Sequence, residues 1–589
     1  MQKVISKIGL GVFTVFFLLF VSTVFFGDYQ LTETGVGLRM EGQQEHKTLF
    51  LSHAAQVIDQ TYTNSISFTA ALDDAFEKAN ETIQDTYALS SNTLETIIGE
   101  QLNKQFSIQE AFGRLDKEEK RSQWMTYAQW MDGRTYETPE ALREDLLLNQ
   151  ENIAEAMIRE KGFDQHQIDA WKYALAKEAY KGVIADHAIL WFLLIYGGAV
   201  LGGLLYMLPL LFTAEGINQH HTFRQSMTYR GVLGIIFGAF LILFYIVLYF
   251  YPEHMVPWVR MVDPLSIALK GSEAGPFFLY GWLYTLCVVV MGIRMLIKWR
   301  DSKYHKVRTL SVMFFQVSFA FLIPEILQLL NKPYFDFKNI WPLDYTFFFD
   351  YRIDQMLSNG TLGIFMLVWG IILVLVGVPL MVYFFGKRWY CSWVCGCGGL
   401  AETLGDPYRH LSDKSLKAWK IERFTVHGVL VFAIIMTIGV LYTYFTSSSS
   451  FLGINTYSLR GVYGFLIGSI FAGVVGTGFY PMMGNRVWCR FGCPLAAYLG
   501  IVQRFKSRFR ITTNGGQCIS CGNCSTYCEM GIDVRWYAQR GQNIVRASCV
   551  GCGVCSAVCP RGVLKLENSD EERFNTPILI GNDSVELPH

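Results

Sequence analysis

Eight of the 14 cysteines in this 589-residue sequence lie close together near the C-terminus, in two runs of identical spacing. The runs read Cys518-Ile-Ser-Cys521-Gly-Asn-Cys524-Ser-Thr-Tyr-Cys528 and Cys549-Val-Gly-Cys552-Gly-Val-Cys555-Ser-Ala-Val-Cys559-Pro560. The C-x2-C-x2-C-x3-C spacing is typical of two-cluster ferredoxins. Gaps of two residues let three thiolates converge on one cluster, and the glycines in the runs allow the tight turns that this requires. Residues 510–566 are therefore predicted to form an α+β, ferredoxin-like domain with two [4Fe–4S] clusters.

The spacing also predicts which cysteines share a cluster, because the fourth cysteine of each run binds the cluster of the other run. The first ferredoxin site is predicted to consist of Cys518, Cys521, Cys524 and Cys559. The second ferredoxin site is predicted to consist of Cys549, Cys552, Cys555 and Cys528. Zinc is the alternative, since four-cysteine zinc sites also use C-x2-C pairs. Two runs of identical spacing, one of which ends in Cys559-Pro560, favour iron–sulfur over zinc. In the first run Glu529 stands where a proline often follows the fourth cysteine, and this difference removes no ligand.

A second cysteine pattern occurs twice further upstream, each time after an apolar stretch. The copies are Gly386-Lys-Arg-Trp-Tyr-Cys391-Ser-Trp-Val-Cys395 and Gly484-Asn-Arg-Val-Trp-Cys489-Arg-Phe-Gly-Cys493-Pro494. Cysteines at positions i and i+4 share one face of a helical turn, so two such turns offer four convergent thiolates. We call these four residues the membrane-edge cysteines. The motif arginines are expected to offset the negative charge of the thiolates.

The membrane-edge cysteines are compatible with three kinds of centre. Iron–sulfur fits best, and bound copper or a dithiol redox couple are the alternatives. Cys397 has no counterpart in the second copy of the repeat, so it is either a further candidate ligand in place of Cys395 or a spare thiol.

Long apolar stretches must position these motifs. Half of the residues are hydrophobic (51%) and only 17% are charged, which argues against an ordinary soluble enzyme. Stretches of about 20 apolar residues can cross a bilayer as helices. Eight are predicted, at 8–27, 187–212, 230–251, 275–297, 308–329, 361–385, 426–446 and 461–481. Glu325 lies near the end of the fifth stretch and is either an interfacial acid or a functional one.

The distribution of charge predicts an orientation. Residues 28–186 carry 28 acidic and 15 basic side chains, whereas the whole chain has 50 of each. The strongly basic connections, 298–308, 386–424 and 482–512, all fall on one side of the predicted membrane. Basic loops favour the cytoplasmic side. Both termini are therefore expected in the cytoplasm of a bacterial cell, with the chain in its inner membrane and residues 28–186 in the periplasm.

The division of the chain follows from these features. Residues 1–27 are expected to form an uncleaved membrane anchor, since no small-x-small cleavage pattern follows the apolar run. Residues 28–186 are expected to form a mainly helical domain, with a helix start at Thr138-Pro139-Glu140. The further predicted segments are transmembrane helices and loops at 187–360, a membrane core at 361–509 and a flexible tail at 567–589.

At 361–565 the chain resembles the membrane-bound polyferredoxins of the NapH/NosR type. Those proteins carry paired cysteine motifs at the ends of transmembrane helices and a C-terminal pair of ferredoxin runs. The resemblance implies electron transfer between the quinone pool or a cytoplasmic donor and a periplasmic reductase or its maturation system. Two departures stand out: Gly396 occupies the position of the proline in the first motif, and residues 28–186 contain no flavin-attachment motif. Covalent flavin is therefore not expected.

The function expected from the sequence is that of a membrane-bound iron–sulfur electron carrier, an electron-transfer subunit or a quinol dehydrogenase-like component. One alternative is a metal-maturation factor that reduces copper at the membrane-edge cysteines. Another is an iron–sulfur redox sensor. Neither composition nor charge suggests a nucleic-acid partner.

Overall fold

A computed structural model describes residues 2–211 and 231–568 of the chain. The predicted tail at 567–589 lies almost entirely outside these described residues. Two compact units are present: one comprises residues 20–191 and 251–261, and the other comprises residues 1–19, 192–250 and 262–589. The second unit contains all the cysteines.

The smaller unit is mainly helical, as predicted for residues 28–186. Its helices are Glu33–Arg39, Gln44–His53, Ser65–Tyr87, Ser91–Gln101, Ile108–Phe112, Glu118–Tyr127, Pro139–Lys161, Gln165–Ala179 and Val183–Asp186. The predicted helix start is confirmed, because Thr138 caps Pro139–Lys161 by accepting a hydrogen bond from the Ala141 N–H at 3.4 Å. A three-stranded antiparallel sheet was not predicted; Asp28–Gln30 is its central strand, between Thr61–Tyr62 and Tyr180–Lys181.

Most of the long apolar helices lie in the larger unit. Seven helices in the described part of the chain are long and apolar enough to cross a membrane, and the count is eight if the helices on either side of a break at Tyr251 form one span. The seven are Val4–Phe25, Ala188–Pro209, Pro276–Lys298, Lys303–Leu329, Gly360–Phe385, Leu416–Thr446 and Thr456–Gly478. Their apolar side chains are widely exposed, as at Leu375, which is 68% exposed. Exposed apolar faces of this length are typical of helices surrounded by lipid.

Four segments in these helices and at the second cysteine motif have the wider π-helical turn: Phe315–Leu322, Leu373–Gly377, Gly464–Val475 and Trp488–Gly492. A π-helical turn is uncommon and is found frequently at functional sites. Two of these segments lie in the helices that precede the repeated cysteine motifs.

The C-terminal region is small and contains both helices and strands, as predicted. Strands Arg510–Thr513 and Leu564–Glu567 pair antiparallel and bring the two ends of the region together. Between them lie the short helices Asn523–Thr526, Val534–Gln539 and Val554–Ala557. The second cysteine motif leads into this region through the helix Pro494–Lys506.

Candidate iron–sulfur centres

The two ferredoxin runs adopt the same backbone conformation. Gly522 and Gly553 stand at matching positions with φ of 81° in both cases, and each precedes a one-turn helix. Gly531 and Gly562, three residues after the fourth cysteine of each run, have φ of 65° and 60°. These are left-handed conformations that glycine adopts without steric cost. The repeat in the sequence is thus a repeat in structure.

The structure brings together the same two sets of cysteines that the spacing predicts. One cavity is lined by Cys518, Cys521, Cys524 and Cys559, and a second is lined by Cys528, Cys549, Cys552 and Cys555. Each cavity is therefore walled by three cysteines of one run and the fourth of the other. A cradle of four converging sulfurs fits a [4Fe–4S] cluster. The assignment of individual ligands stays a prediction.

The two ferredoxin sites differ in their exposure. Cys521 of the first site is exposed to solvent, whereas Cys549 and Cys555 of the second are buried. Burial raises the pKa of the Cys549 thiol to about 11. A buried thiol stays protonated unless a cation binds it. A bound metal cluster would therefore explain why several buried cysteines lie together at one site.

The membrane-edge cysteines also come together. All four are buried and belong to one packed cluster of side chains. In each copy of the motif, the N–H of the second cysteine donates to a carbonyl five residues back: Cys395 to Tyr390 at 2.8 Å, and Cys493 to Trp488 at 2.9 Å. The turn is therefore wider than the α-helical turn expected from the i and i+4 spacing. Both copies share it, which supports a common role.

Burial affects the pKa values of the membrane-edge cysteines as it does at the second ferredoxin site. Burial raises the pKa of Cys391 to about 12, and the neighbouring Cys395 and Cys489 add to the increase, while Lys387 and Arg486 oppose it. Burial also raises the pKa of Cys493. Additional positive charge, which metal ions provide, would be needed to hold Cys391, Cys489 and Cys493 as thiolates, because burial raises the pKa of all three.

Cys397 lies beside Cys395 and is hydrogen-bonded to it. That hydrogen bond lowers the pKa of Cys395 to about 6, against the effect of burial. The pKa of Cys397 is raised, by the same hydrogen bond and by burial. The extra thiol is thus in contact with the membrane-edge cysteines, and whether it is a ligand stays a prediction.

The two motif arginines have different roles. Arg486 lies as expected, with Nη1 3.7 Å from the Cys489 sulfur and 3.1 Å from the Cys391 carbonyl oxygen. The expectation is wrong for Arg388, which donates to the Phe385 carbonyl and to Asn568 and packs over the Phe509 ring. In the first copy, Lys387 is the cation that lowers the pKa of Cys391.

A group of buried charged side chains lies between the membrane-edge cysteines and the second ferredoxin site. We call it the buried charge network. Arg308, Arg409 and Arg486 approach Glu402 at 2.9, 3.1 and 2.8 Å. Arg409 and Arg486 also reach Glu529, at 3.3 and 3.0 Å. Asp406 pairs with further cations, at 2.8 to 3.2 Å; they are Arg294, Lys298 and Arg409.

The network determines the ionisation of its carboxyl groups. Burial alone would raise the pKa of Glu402, but the guanidinium groups of Arg308, Arg409 and Arg486 hold it below its usual value. The pKa of Glu529 is raised, by burial and by the adjacent Glu402. Glu529 is the residue that departs from the usual proline, and that departure was the one sequence signal for the network. Glu402 and Asp406 were missed, because they lie in a stretch that resembles an ordinary basic loop.

Glu402, Glu529 and Cys552 could also be considered as a metal site, since one ligand atom of each lies within 4.8 Å of the others. Three arginines already pair with the two carboxyl groups. Their positive charge opposes a further cation there, so we interpret the group as an ion-pair network.

Two segments that start at opposite ends of the helix Gly360–Phe385 meet beside the cysteines. The Tyr390 hydroxyl, in the first cysteine motif, donates to the Lys338 carbonyl at 2.8 Å. The Lys338 ammonium lies 3.2 Å from the position that a Cβ atom would occupy at Gly396. Ile340 packs in the same cluster of side chains as the membrane-edge cysteines.

Glu325, the acidic residue near the end of the fifth apolar stretch, forms an ion pair with Lys270 at 3.4 Å.

Comparison with known proteins agrees with this arrangement. Residues 517–564 match a 4Fe-4S dicluster domain, and residues 367–416 and 463–512 each match a 4Fe-4S binding domain. The last two segments each contain one copy of the repeated cysteine motif. The protein named "Putative electron transport protein YccM" from Escherichia coli (strain K12) is 27% identical over 166 residues, or 25% of this chain. The chain covers 43% of the length of that relative. No solved structure matches the chain.

These findings support an iron–sulfur protein with a role in electron transport and with helices that span a membrane. The family descriptions are specific to 4Fe-4S binding and therefore favour iron–sulfur over zinc for the C-terminal runs.

Proposed function

We propose that this chain is a membrane-bound electron carrier of the NapH/NosR type. It takes electrons from the quinone pool or from a cytoplasmic donor and delivers them to a periplasmic reductase or to the system that matures one. Iron–sulfur clusters, when bound, accept and release one electron each. A quinol that becomes a quinone gives up two electrons and two protons, so a quinol donor would need two one-electron transfers.

The observation that carries the proposal is the direct packing of the second ferredoxin site on the membrane-edge cysteines. The Ser392 hydroxyl, next to Cys391, donates to the Val550 carbonyl at 2.8 Å. Gln503, in the helix that follows Cys493, donates to the Cys549 carbonyl at 2.9 Å. Electron transfer requires redox sites that lie close together, and these contacts bring the second ferredoxin site against the membrane-edge cysteines.

The chain's own residues provide the remaining features of a carrier. Cys521 places the first ferredoxin site at the surface, where a soluble donor or acceptor can approach it. Arg486 and Lys387 place positive charge beside the membrane-edge cysteines. The apolar helices attach the ferredoxin sites and the membrane-edge cysteines to the membrane. We assign the membrane-edge cysteines to a third iron–sulfur centre, with Cys397 as a further candidate ligand.

Metal analysis and EPR spectroscopy of anaerobically purified protein test the proposal. We expect about eight iron and eight sulfide atoms from the two ferredoxin sites, and about four more of each if the membrane-edge centre is also a [4Fe–4S] cluster. Serine at both Cys391 and Cys489 should remove only the additional signal. The matched control is Cys287→Ser, since Cys287 packs in the cluster of Val288 and Val312 and belongs to none of the three cysteine sets. Zinc alone, without visible absorption, would contradict the proposal.

A copper-reducing maturation factor is the second candidate, and the hydrogen-bonded pair Cys395 and Cys397 favours it. Two adjacent thiols can bind Cu(I), which prefers sulfur ligands. The reaction would be one-electron reduction of Cu(II) to Cu(I), with the electron supplied from the ferredoxin sites. Serine at Cys391 and Cys489 should then abolish copper reduction while the spectra of the ferredoxin sites stay unchanged.

A further inference from the structure

We infer that Arg409 and Arg486 are positioning residues that couple the second ferredoxin site to the membrane-edge cysteines and raise the reduction potential of both. The inference rests on the proposed function and adds to it a defined connection between two redox sites. It starts from contacts between guanidinium groups and sulfur. Arg409 Nη1 lies 4.0 Å from the Cys552 sulfur, and Arg486 Nη1 lies 3.7 Å from the Cys489 sulfur.

The two arginines share their carboxylate partners. Glu402 is 3.1 Å from Arg409 and 2.8 Å from Arg486, and Glu529 is 3.3 and 3.0 Å from the same two residues. A continuous series of polar contacts therefore runs from Cys552 through Arg409, a shared carboxyl group and Arg486 to Cys489. Planar guanidinium groups hold carboxyl groups with a fixed geometry that a lysine does not reproduce. The network thus fixes the relative positions of the two sets of sulfurs.

The network also carries excess positive charge. Five cationic side chains pair with three carboxyl groups in the described part of the chain; they are Arg294, Lys298, Arg308, Arg409 and Arg486, with Glu402, Asp406 and Glu529. Arg409 and Arg486 are 2% and 1% exposed. In a buried setting with low dielectric, a positive charge acts strongly on a neighbouring group. Adding an electron to a site makes it more negative, so nearby cations stabilise the reduced form.

The charge of the network can be changed in both directions, which separates the inference from a purely structural role. Arg409→Gln and Arg486→Gln remove a cation, and we expect each to lower the midpoint potential of the site whose sulfur it contacts. Glu402→Gln removes an anion that faces both arginines, and we expect it to raise both potentials. Damage to the fold would not move the potentials in opposite directions.

The control is Arg460→Gln, because Arg460 pairs with Asp350 at 2.8 Å and packs over the rings of Phe349 and Tyr457 instead of contacting a sulfur. We expect that variant to leave both potentials unchanged. Arg409→Lys and Arg486→Lys keep the charge and lose the shared geometry. They should retain the potentials of the original protein while electrons pass between the two sites more slowly.

Redox titration monitored by EPR, on the full-length protein in detergent or nanodiscs, measures the potential of each site. At a fixed ambient potential near the midpoint, each arginine-to-glutamine change should lower the ratio of reduced to oxidised site about tenfold, which is about 59 mV for a one-electron couple. Weaker spin–spin interaction between the two reduced sites should accompany loss of the shared geometry. If a glutamine variant binds too little iron to be titrated, the lysine variants and Glu402→Gln decide by the same readouts.

Unchanged potentials in all of these variants, with normal iron content, would overturn the inference and leave the proposed function intact. Absence of iron–sulfur signals from the unaltered protein would instead overturn the proposed function. A stoichiometric metal other than iron that is lost in Glu402→Gln would also overturn the inference, because the carboxyl groups would then be ligands of that metal.

Discussion

Cys395 and Cys397 show how much of a site depends on single residues. Cys395 has a counterpart, Cys493, with the same backbone hydrogen bond to a residue five positions back. Cys397 has none, and its side chain lies close enough to Cys395 to lower the pKa of that cysteine. We therefore expect Cys395 to be the ligand and Cys397 to tune it, because a hydrogen bond to a thiolate stabilises its charged form.

This assignment predicts different results for two serine variants. Cys395→Ser should abolish the EPR signal of the membrane-edge centre, since serine is a poor ligand for iron. Cys397→Ser should keep that signal with a small shift, because the serine hydroxyl can still donate to Cys395. Loss of the signal in Cys397→Ser would instead make Cys397 the ligand.

Residues differ in how far the sequence alone reveals them. The cysteines of the three sets are predictable, because short and repeated spacings report local geometry. Glu402, Asp406 and Arg409 are not, since their burial results from packing between segments far apart in the chain. Arg294 and Glu529 are separated by more than two hundred positions, yet both belong to the same network. Glu529 is an intermediate case, visible only as a departure from proline.

At the level of elements, the tight turns before the two membrane-edge motifs depend on glycine. Gly386 and Gly484 have φ of 70° and 93°, and each ends a helix and starts its motif. The apolar spans and the ferredoxin runs are predictable from the sequence because hydropathy and spacing are strong signals. The π-helical turns and the three-stranded sheet have no comparable signal, since they depend on contacts between elements.

The Gly484 turn leads to a quantitative prediction. A Cβ atom at this position would lie 2.3 Å from the Ser412 hydroxyl oxygen and 2.8 Å from the Ser412 backbone nitrogen. The positive φ adds a cost of about 1–3 kcal/mol for a residue other than glycine. We expect Gly484→Ala to lower the thermal stability and to reduce the iron bound at the membrane-edge cysteines.

Gly461→Ala is the matched control for this change. Gly461 lies in the helix Thr456–Tyr463, and a Cβ atom there would meet nothing within 4 Å. Alanine also favours helix formation over glycine. Stability equal to or above that of the unaltered protein is expected for the control, measured by thermal denaturation in detergent. Equal stability of both variants would contradict the prediction and show that the turn at Gly484 accommodates a Cβ atom.

At the level of the whole molecule, charge and cysteines are unevenly distributed. Residues 28–186 hold 28 acidic and 15 basic side chains and no cysteine. The basic connections and the cysteine sets lie in the rest of the chain. We expect this asymmetry to orient the protein, with the ferredoxin sites in the cytoplasm and residues 28–186 in the periplasm.

Protease protection tests this orientation. Protease added to intact spheroplasts should cut within residues 28–186 and spare an epitope fused to the C-terminus. Inverted membrane vesicles should give the opposite pattern, with the epitope removed. A known periplasmic and a known cytoplasmic protein serve as controls for intact membranes. Removal of the epitope in intact spheroplasts would contradict the expected orientation.

The meeting of Tyr390 with Lys338 has a consequence for energy conversion. The helix Gly360–Phe385 has 26 residues, and the segments that leave its two ends nevertheless touch beside the cysteines. Because segments from both ends of the helix reach this site, we expect an electron held there to have crossed only part of the transmembrane voltage from either side. A full crossing is worth about 2.3 kcal/mol per 100 mV for one charge. Arrival and departure of the electron would each carry a share of this energy, so an energised membrane would slow one half of the transfer and speed the other.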